Sequence, residues 1–456
     1  MEKQKKEASN AFVWFHSTSL SGGAMIISAI IATYFSVFMT DTMMLPAAAC
    51  SVIMFIASLW DAINDPIMGV IADRTHSKWG RYRPYFIPAP LLLILFGTLI
   101  WVNPPFGTAG KIAWVLITYI GWGMTVTLYT MPHMALLPAC VKNDKERNKI
   151  VTIGAGITAI SFSIGNTFTL QLKAACEKMF NIKNGYIPLM LLFGILALIS
   201  FWGLFATSKE KYLNPHDENS KGALKKVLKH KELIPFILVW LMASMGYGLM
   251  FASSIYYITY YICRPDLIPL YMGIVSIGAL ISMVVFMPIA LKIFKSGHNA
   301  LKWTQIISIV LYVLLFIFGG KNLTFLYVMT FIVTAISSMS NALTIVLVND
   351  AIDYIQLKEG ISANGIISSI KGFAQKCGTT VVSSGILGVL AASGYIANAI
   401  GQQPKSALIA INFLRFGAPC ISALVLVLCM LFNPIEKCRP EIEEMKAKMT
   451  GSGEDE

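Results

Sequence analysis

The chain has 456 residues, of which 56% are apolar and only 13% charged. A soluble domain averages roughly 45–50% apolar and about 25% charged, so this composition excludes a water-soluble enzyme, a disordered chain and a coiled coil. It leaves room for about twelve membrane spans of ~20–25 residues. The net charge of +12 is read by position, because basic residues flanking apolar spans report orientation rather than nucleic-acid binding.

Twelve apolar segments follow in order, near 11–38, 44–72, 84–102, 111–139, 150–172, 186–206, 233–262, 267–291, 301–319, 322–349, 362–392 and 407–432. The first is twice the length of a signal-peptide core and reads as a span. Each predicts a transmembrane helix, since backbone polar groups inside lipid must bond within their own segment. No period-two alternation suggests a barrel. The eight cysteines are scattered with no C-x-x-C pair, and read as small apolar residues within spans.

With both termini inside, 26 of the 36 Lys and Arg fall on inner segments, against 7 on outer loops. That bias predicts cytoplasmic termini. The polar stretch 207–232 divides the chain into an N-terminal half (1–206) and a C-terminal half (233–456). The loops after spans four (VKNDKERNKI) and ten (VNDAIDYIQLKEG) occupy matching places, and each carries an Asn-Asp pair. Six plus six spans around a long inner loop is the layout of major-facilitator transporters, with the substrate site between the halves.

Span two carries Trp60-Asp61-Ala62-Ile63-Asn64-Asp65-Pro66. Asp61, Asn64 and Asp65 at i, i+3 and i+4 share one helix face. An acid at the centre of a span costs roughly 2.5–3.5 kcal/mol, so two on one face call for a cation, a shared proton or a water-filled vestibule. Carboxylate and amide oxygens suit a hard monovalent ion, Na⁺ or Li⁺. A coupled pair holding one proton is the alternative. Thr127 in span four offers a further hydroxyl oxygen, set against the habit of buried threonines to bond their own helix. His133 reads as an interface histidine.

The next loop, Gly69 to Pro84, combines Asp73 and Arg74 with Arg81 and further basic residues, and its Gly and Pro punctuation predicts a fixed gating loop at the cytoplasmic face. Asp350 and Asp353, with Lys358 and Glu359, are expected to form an ion-pair network there. In span eleven Lys376 lies near mid-span and is the expected coupling residue, released when a cation neutralises the aspartates; Lys371 is within snorkelling reach of the surface. Arg415 in span twelve needs an acid or carbonyl partner. The C-terminal tail, ending Gly-Glu-Asp-Glu, reads as a solvated appendage.

WDAINDPIMG…ADRTHSKWGRYRP, GWGMT-x-T in span four and VNDAIDY followed by Lys376 resemble the glycoside–pentoside–hexuronide:cation symporters, the group containing melibiose permease. The resemblance covers nearly the whole chain. It implies an all-α integral membrane protein of the major facilitator fold, not an enzyme, with no cofactor beyond a coupling Na⁺, Li⁺ or H⁺ held by Asp61, Asn64, Asp65 and Thr127. The family's span-eleven lysine falls on Lys376. The sugar site departs from melibiose permease: an ungapped match puts Met25 and Thr130 where it has aspartates, Met134 at its span-four Trp and Ala155 at its span-five Arg, while Trp122 is retained. Met25, Trp122, Thr130 and Met134 are therefore the expected solute contacts, and α-galactoside recognition does not carry over.

The expected function is cation-coupled symport of a sugar or glycoside by alternating access in the cell membrane, its partners being that small molecule, a monovalent cation and lipid, with no nucleic acid. Cation-driven movement of a lysolipid-like amphiphile is the nearest rival, for which the 23 methionines would give an adaptable apolar cavity. A non-transporting membrane sensor is the rival of another class.

Overall fold

The computed structural model describes residues 8–212, 227, 229–359, 364–442 and 444, with the side chains of Pro66, Asp73, Asp144, Asn364, Pro434 and Lys437 outside that description. Among the described residues there is no strand. All twelve apolar segments are helical over most of their length. Ten of the helices are long and apolar enough to cross a membrane. The other two are Ala89–Leu99, which starts late because a 3-10 turn at Arg83–Phe86 and two prolines precede it, and Asn364–Ala392, whose apolarity Lys371 and Lys376 interrupt.

Two spans are not straight. Span one breaks into Asn10–Ser19 and Gly23–Val37, and a side chain at Gly23 would overlap the carbonyl of Phe193 on span six. Span five runs further than the sequence predicts, as Asp144–Thr167 and Thr169–Phe180. Asn143 caps its start by accepting from the N–H groups of Lys145 and Glu146, and Asn181 ends it in the left-handed conformation.

The helices form two compact units. The first comprises Met1–Pro215 together with Asp266–Gly273 and Ser383–Gln402. Its interior holds stacked aromatics, Phe35 on Tyr119 and Trp101 on Tyr186, with ring centroids 5.3 and 4.0 Å apart. Asn166 of span five is fully buried; its side-chain oxygen accepts from the Thr33 hydroxyl of span one, its amide nitrogen donates to Phe162 O at 2.8 Å, and its backbone carbonyl accepts from Tyr34 Oη at 2.7 Å. That bonding is what permits an amide to sit in an apolar interior. The second unit comprises His216–Pro265, Ile274–Val382 and Gln403–Glu456. Its core gathers Phe236, Trp240, Leu301, Leu343, Leu347 and Met430.

Spans one and seven end on the same backbone plan. Each closes with a π-helical turn, Phe38–Thr42 and Tyr257–Tyr261. In one, Met43 N–H bonds Phe38 O and Leu45 N–H bonds Met39 O; in the other, Ile262 N–H bonds Tyr257 O and Arg264 N–H bonds Ile258 O. Met44 and Cys263 then take the same left-handed φ of 58°, and a proline follows two residues later in both. Offsets of five and then six residues are thus matched bond for bond between the two turns.

Candidate functional site

Helix Ala47–Arg74 carries Asp61, Asn64 and Asp65, all half-buried, on one face. Helix Thr108–Cys140 meets it with Tyr119, Gly123 and Thr127, spaced four apart and so also on one face. Thr127 Oγ1 donates to Asp65 Oδ1 at 2.7 Å. The Asp61 carboxylate presses on Gly123, where an added Cβ would overlap Oδ1. Two carboxylates, an amide and a hydroxyl thus converge between spans two and four. Asp65 and Thr127 are directly joined; Asn64 makes no side-chain hydrogen bond among the described residues.

This donor set fits a small monovalent cation: it supplies hard oxygens and two formal negative charges, and contains no sulfur or imidazole. No cluster of three or more His, Cys, Asp or Glu side chains suited to a metal occurs among the described residues. Gly123 was not singled out by sequence reasoning. Its signal was present in the GWG run, since a glycine opposite a buried acid marks a place where backbone must approach closely.

The other expected residues are more scattered. Lys376 belongs to the second unit, half-buried on Asn364–Ala392. Its carbonyl accepts from Thr379 and Thr380, at 2.9 and 2.8 Å. Next to it Gln375 O accepts from Ser244 Oγ at 3.0 Å, and a Cβ on Gly378 would overlap Ser244, so span eleven is pressed onto span seven there. Met25 is half-buried and Met134 is 64% exposed. The Thr130 hydroxyl bonds Val126 O within its own helix at 2.7 Å. Trp122 is only 6% exposed, and its ring faces Gly97 of span three. His133 is an interface histidine: Nε2 lies 3.1 Å from both His16 O and Ser19 Oγ.

The loop after span two is held by a residue not foreseen. Glu210, just beyond span six, accepts from three successive backbone N–H groups: Arg81 at 2.7, Tyr82 at 2.8 and Arg83 at 3.0 Å. Gly80 has φ +111°, and a Cβ there would lie 2.7 Å from Glu210 Oε1. The Arg83 guanidinium donates to Phe205 O at 2.7 Å. Arg74 is exposed and its carbonyl meets His76 Nδ1 at 2.8 Å; the Asp73 side chain lies outside the described residues.

The network expected among Asp350, Asp353, Lys358 and Glu359 is wired differently. Asp350 faces Arg439 at 3.5 Å, Lys358 faces Glu441 at 3.7 Å, and Glu359 meets His230 at 3.0 Å. Side chains one or eight positions apart on a helix diverge or stand ~12 Å apart, so each finds a partner on a crossing segment instead. Asp353 is half-buried on the same helix. The first turns of the tail, as far as Ile442, are anchored, whereas residues 443 and 445–456, on which the reading of a solvated appendage rests, lie outside the described residues. Arg415 is fully buried in the π-helical turn Phe413–Gly417, its guanidinium 4.9 Å from the Phe416 ring centre. All eight cysteines are free.

Solved structures share the fold. A bacterial homologue of the human lysosomal transporter Spinster, inward-facing and unoccupied, aligns with a TM-score of 0.65 at 12% identity, over 93% of this chain and 95% of its own. The nucleoside transporter NupG aligns at 0.59 and 14% identity, covering 93% and 100%. Among sequences, the isoprimeverose transporter of Lactiplantibacillus pentosus is 26% identical over 93% of this chain and 89% of its own. A candidate glycoside/cation symporter of Escherichia coli (strain K12) is 22% identical over 84% and 83%. A family model described as MFS/sugar transport protein matches residues 19–437. With both the helical plan and nearly the full length of the sequence held in common, the chain belongs to the MFS/sugar transport protein family and is a transporter, not an enzyme.

Proposed function

We propose that the chain is a cation-coupled symporter that carries a sugar or glycoside across the cell membrane by alternating access, with both termini cytoplasmic. The observation that carries this reading is the seam between spans two and four, where Thr127 bonds Asp65 and the Asp61 carboxylate lies against Gly123. A monovalent cation there neutralises the aspartates, and Asn64 and Thr127 complete its oxygen shell. The relatives' names support the solute class: one is an isoprimeverose transporter and another a candidate glycoside/cation symporter.

Coupling follows from linkage. If cation binding orders the solute cavity and raises solute affinity, solute raises cation affinity by the same factor. One charge moving through 100 mV supplies ~2.3 kcal/mol. In this scheme Lys376 responds to the charge state of the aspartates, Met25, Thr130 and Met134 are the nearest candidates for solute contact, and Asp73, Arg74, Arg81, Asp350 and Asp353 belong to the cytoplasmic gate.

The test is uptake of labelled glycosides, pentosides and hexuronides into membrane vesicles, with Na⁺, Li⁺ and pH varied independently. The wild-type chain is expected to concentrate one of these solutes only down an imposed cation gradient. Asp61→Asn and Asp65→Asn are each expected to abolish that dependence. Undiminished cation stimulation in both variants, or competition by lysolipids rather than by any sugar, would overturn the reading.

A further inference from the structure

We infer that Asp41, Tyr395 and Asn398 form a latch at the outer end of the first unit, closed in this structure, which must open before solute can enter from outside. This rests on the alternating-access reading above.

Tyr395 Oη donates to Asp41 Oδ1 at 2.7 Å, and Asn398 Nδ2 donates to Asp41 O at 2.8 Å. A third tie lies deeper, where Ser51 Oγ donates to Ser384 O at 2.8 Å and sits 3.2 Å from where a Cβ on Gly388 would stand. All these groups belong to the first unit, yet Ser384, Tyr395 and Asn398 follow from span eleven, and its helix Asn364–Ala392 passes from the second unit into the first at Val382. A helix whose two ends belong to different units cannot follow the second unit in a rearrangement without releasing its hold on the first. These three are among the bonds it must break.

The backbone is shaped to present them. Asp41 sits in the π-helical turn that ends span one, where a carbonyl is free to accept a bond from outside the helix. Asn398 takes φ 60°, and Gly394 and Gly401 take φ 77° and 74° on either side of it, so the segment turns tightly back towards span one. Thr40 Oγ1 donates to the same Asp41 oxygen at 2.8 Å, aiming the carboxylate. The bonds are partly exposed, which leaves them strong enough to bias one state and weak enough to yield.

The experiment is thiol labelling of intact cells making the full chain with its eight native cysteines replaced. Ser51→Cys is the reporter, and a membrane-impermeant maleimide is added from outside. Tyr395→Phe removes a hydrogen bond to a carboxylate and is expected to raise the labelling rate about tenfold; Asn398→Ala removes one to a carbonyl and should raise it about fivefold. Ser200→Ala removes a bond within span six that ties nothing to span eleven, and is expected to leave the rate within about twofold. A second reporter, Val115→Cys, fully buried in the first unit, reads general loosening. Unchanged labelling of Ser51→Cys in both latch variants overturns the proposal, and so does an equal rise at Val115→Cys. Because labelling requires neither solute nor cation, the latch can fail while symport stands, and the reverse.

Discussion

A methyl group at position 123 would overlap Asp61 Oδ1. Gly123 lies on a helix backbone and cannot swing aside, so Gly123→Ala must displace the carboxylate or part the two spans. If the proposed cation site is right, either change spoils it, because its oxygens have to converge on one ion. Cation affinity in Gly123→Ala is expected to fall at least tenfold, read by cation-dependent intrinsic fluorescence or by the Na⁺ or Li⁺ concentration giving half-maximal uptake. Thr127 permits a finer comparison. Thr127→Ser keeps the hydroxyl that donates to Asp65 at 2.7 Å, whereas Thr127→Ala removes it. The serine variant should stay within about threefold of wild type and the alanine variant lose about tenfold or more, the size of one hydrogen bond to a charged group. Equal loss in both would mean that the methyl group, and hence packing, is what matters. The acids, the amide and Thr127 were legible in the sequence because ionisable groups inside an apolar span need compensation. Gly123 was harder to read, since a glycine's role depends on what faces it and a single sequence does not display the facing helix. Trp122 was hard to read for a related reason: a tryptophan in a transporter span can line a cavity or pack a seam, and a single sequence does not display the Gly97 that its ring faces.

Among the elements, the loop between spans two and three shows how much order a single carboxylate imposes. Three consecutive N–H groups point at Glu210, which leaves them unpaired if it is removed. Glu210→Ala is expected to lower stability by ~1–3 kcal/mol, the penalty for stranding donors in a half-buried setting, seen as a lower detergent Tm and faster proteolysis near Trp79. Glu210→Gln keeps an acceptor and should fall between. Helix Thr169–Phe180, beyond the apolar part of span five, offers a pH test. Burial raises the Glu177 carboxyl, but the Lys173 ammonium, 2.7 Å away, and the Gly185 N–H outweigh it and hold the group below its ordinary 4.5. The folded pKa is thus depressed, so the contribution is fully present above the unfolded value and is lost as pH falls through the folded one. A Tm profile below about pH 4.5 should therefore be shallower in Glu177→Gln than in wild type; parallel profiles would show that the ion pair adds nothing. Glu210 was not foreseen because it lies in the charged segment 207–232. In such a run one acid looks like any other, and only an extended path past the loop separates it.

At the scale of the whole molecule, the two halves share a plan that was partly visible in the sequence. The twelve apolar segments and the central polar stretch could be placed because lipid demands long apolar helices, whereas the paired π-helical turns and left-handed residues at Met44 and Cys263 could not, since no residue type prescribes them. The plan extends to the way each half finishes. The segment after span six is tied to the first unit through Glu210, and the segment after span twelve is tied to the second unit. There Asn433 Nδ2 meets His298 Nδ1 at 3.2 Å, Arg439 faces Asp350, and Ile435 and Ile442 are buried in the core. A chain stopped after Phe432 loses all of these. Burying an isoleucine side chain contributes about 1.5–3 kcal/mol, so removing two exceeds what the partly exposed Arg439–Asp350 pair adds, for which ~0–1 kcal/mol is usual. The truncation is therefore expected to be destabilised chiefly through lost apolar burial, by roughly 3–6 kcal/mol, with low surface expression and a sharply lower Tm in detergent. A chain stopped after Glu444 keeps both isoleucines and should match wild type in both measurements. Arg439→Gln separates the contributions further: with the core intact it should cost less than about 1 kcal/mol. If stopping after Phe432 leaves Tm unchanged, the closing segment is an ornament rather than the last piece of the half it completes.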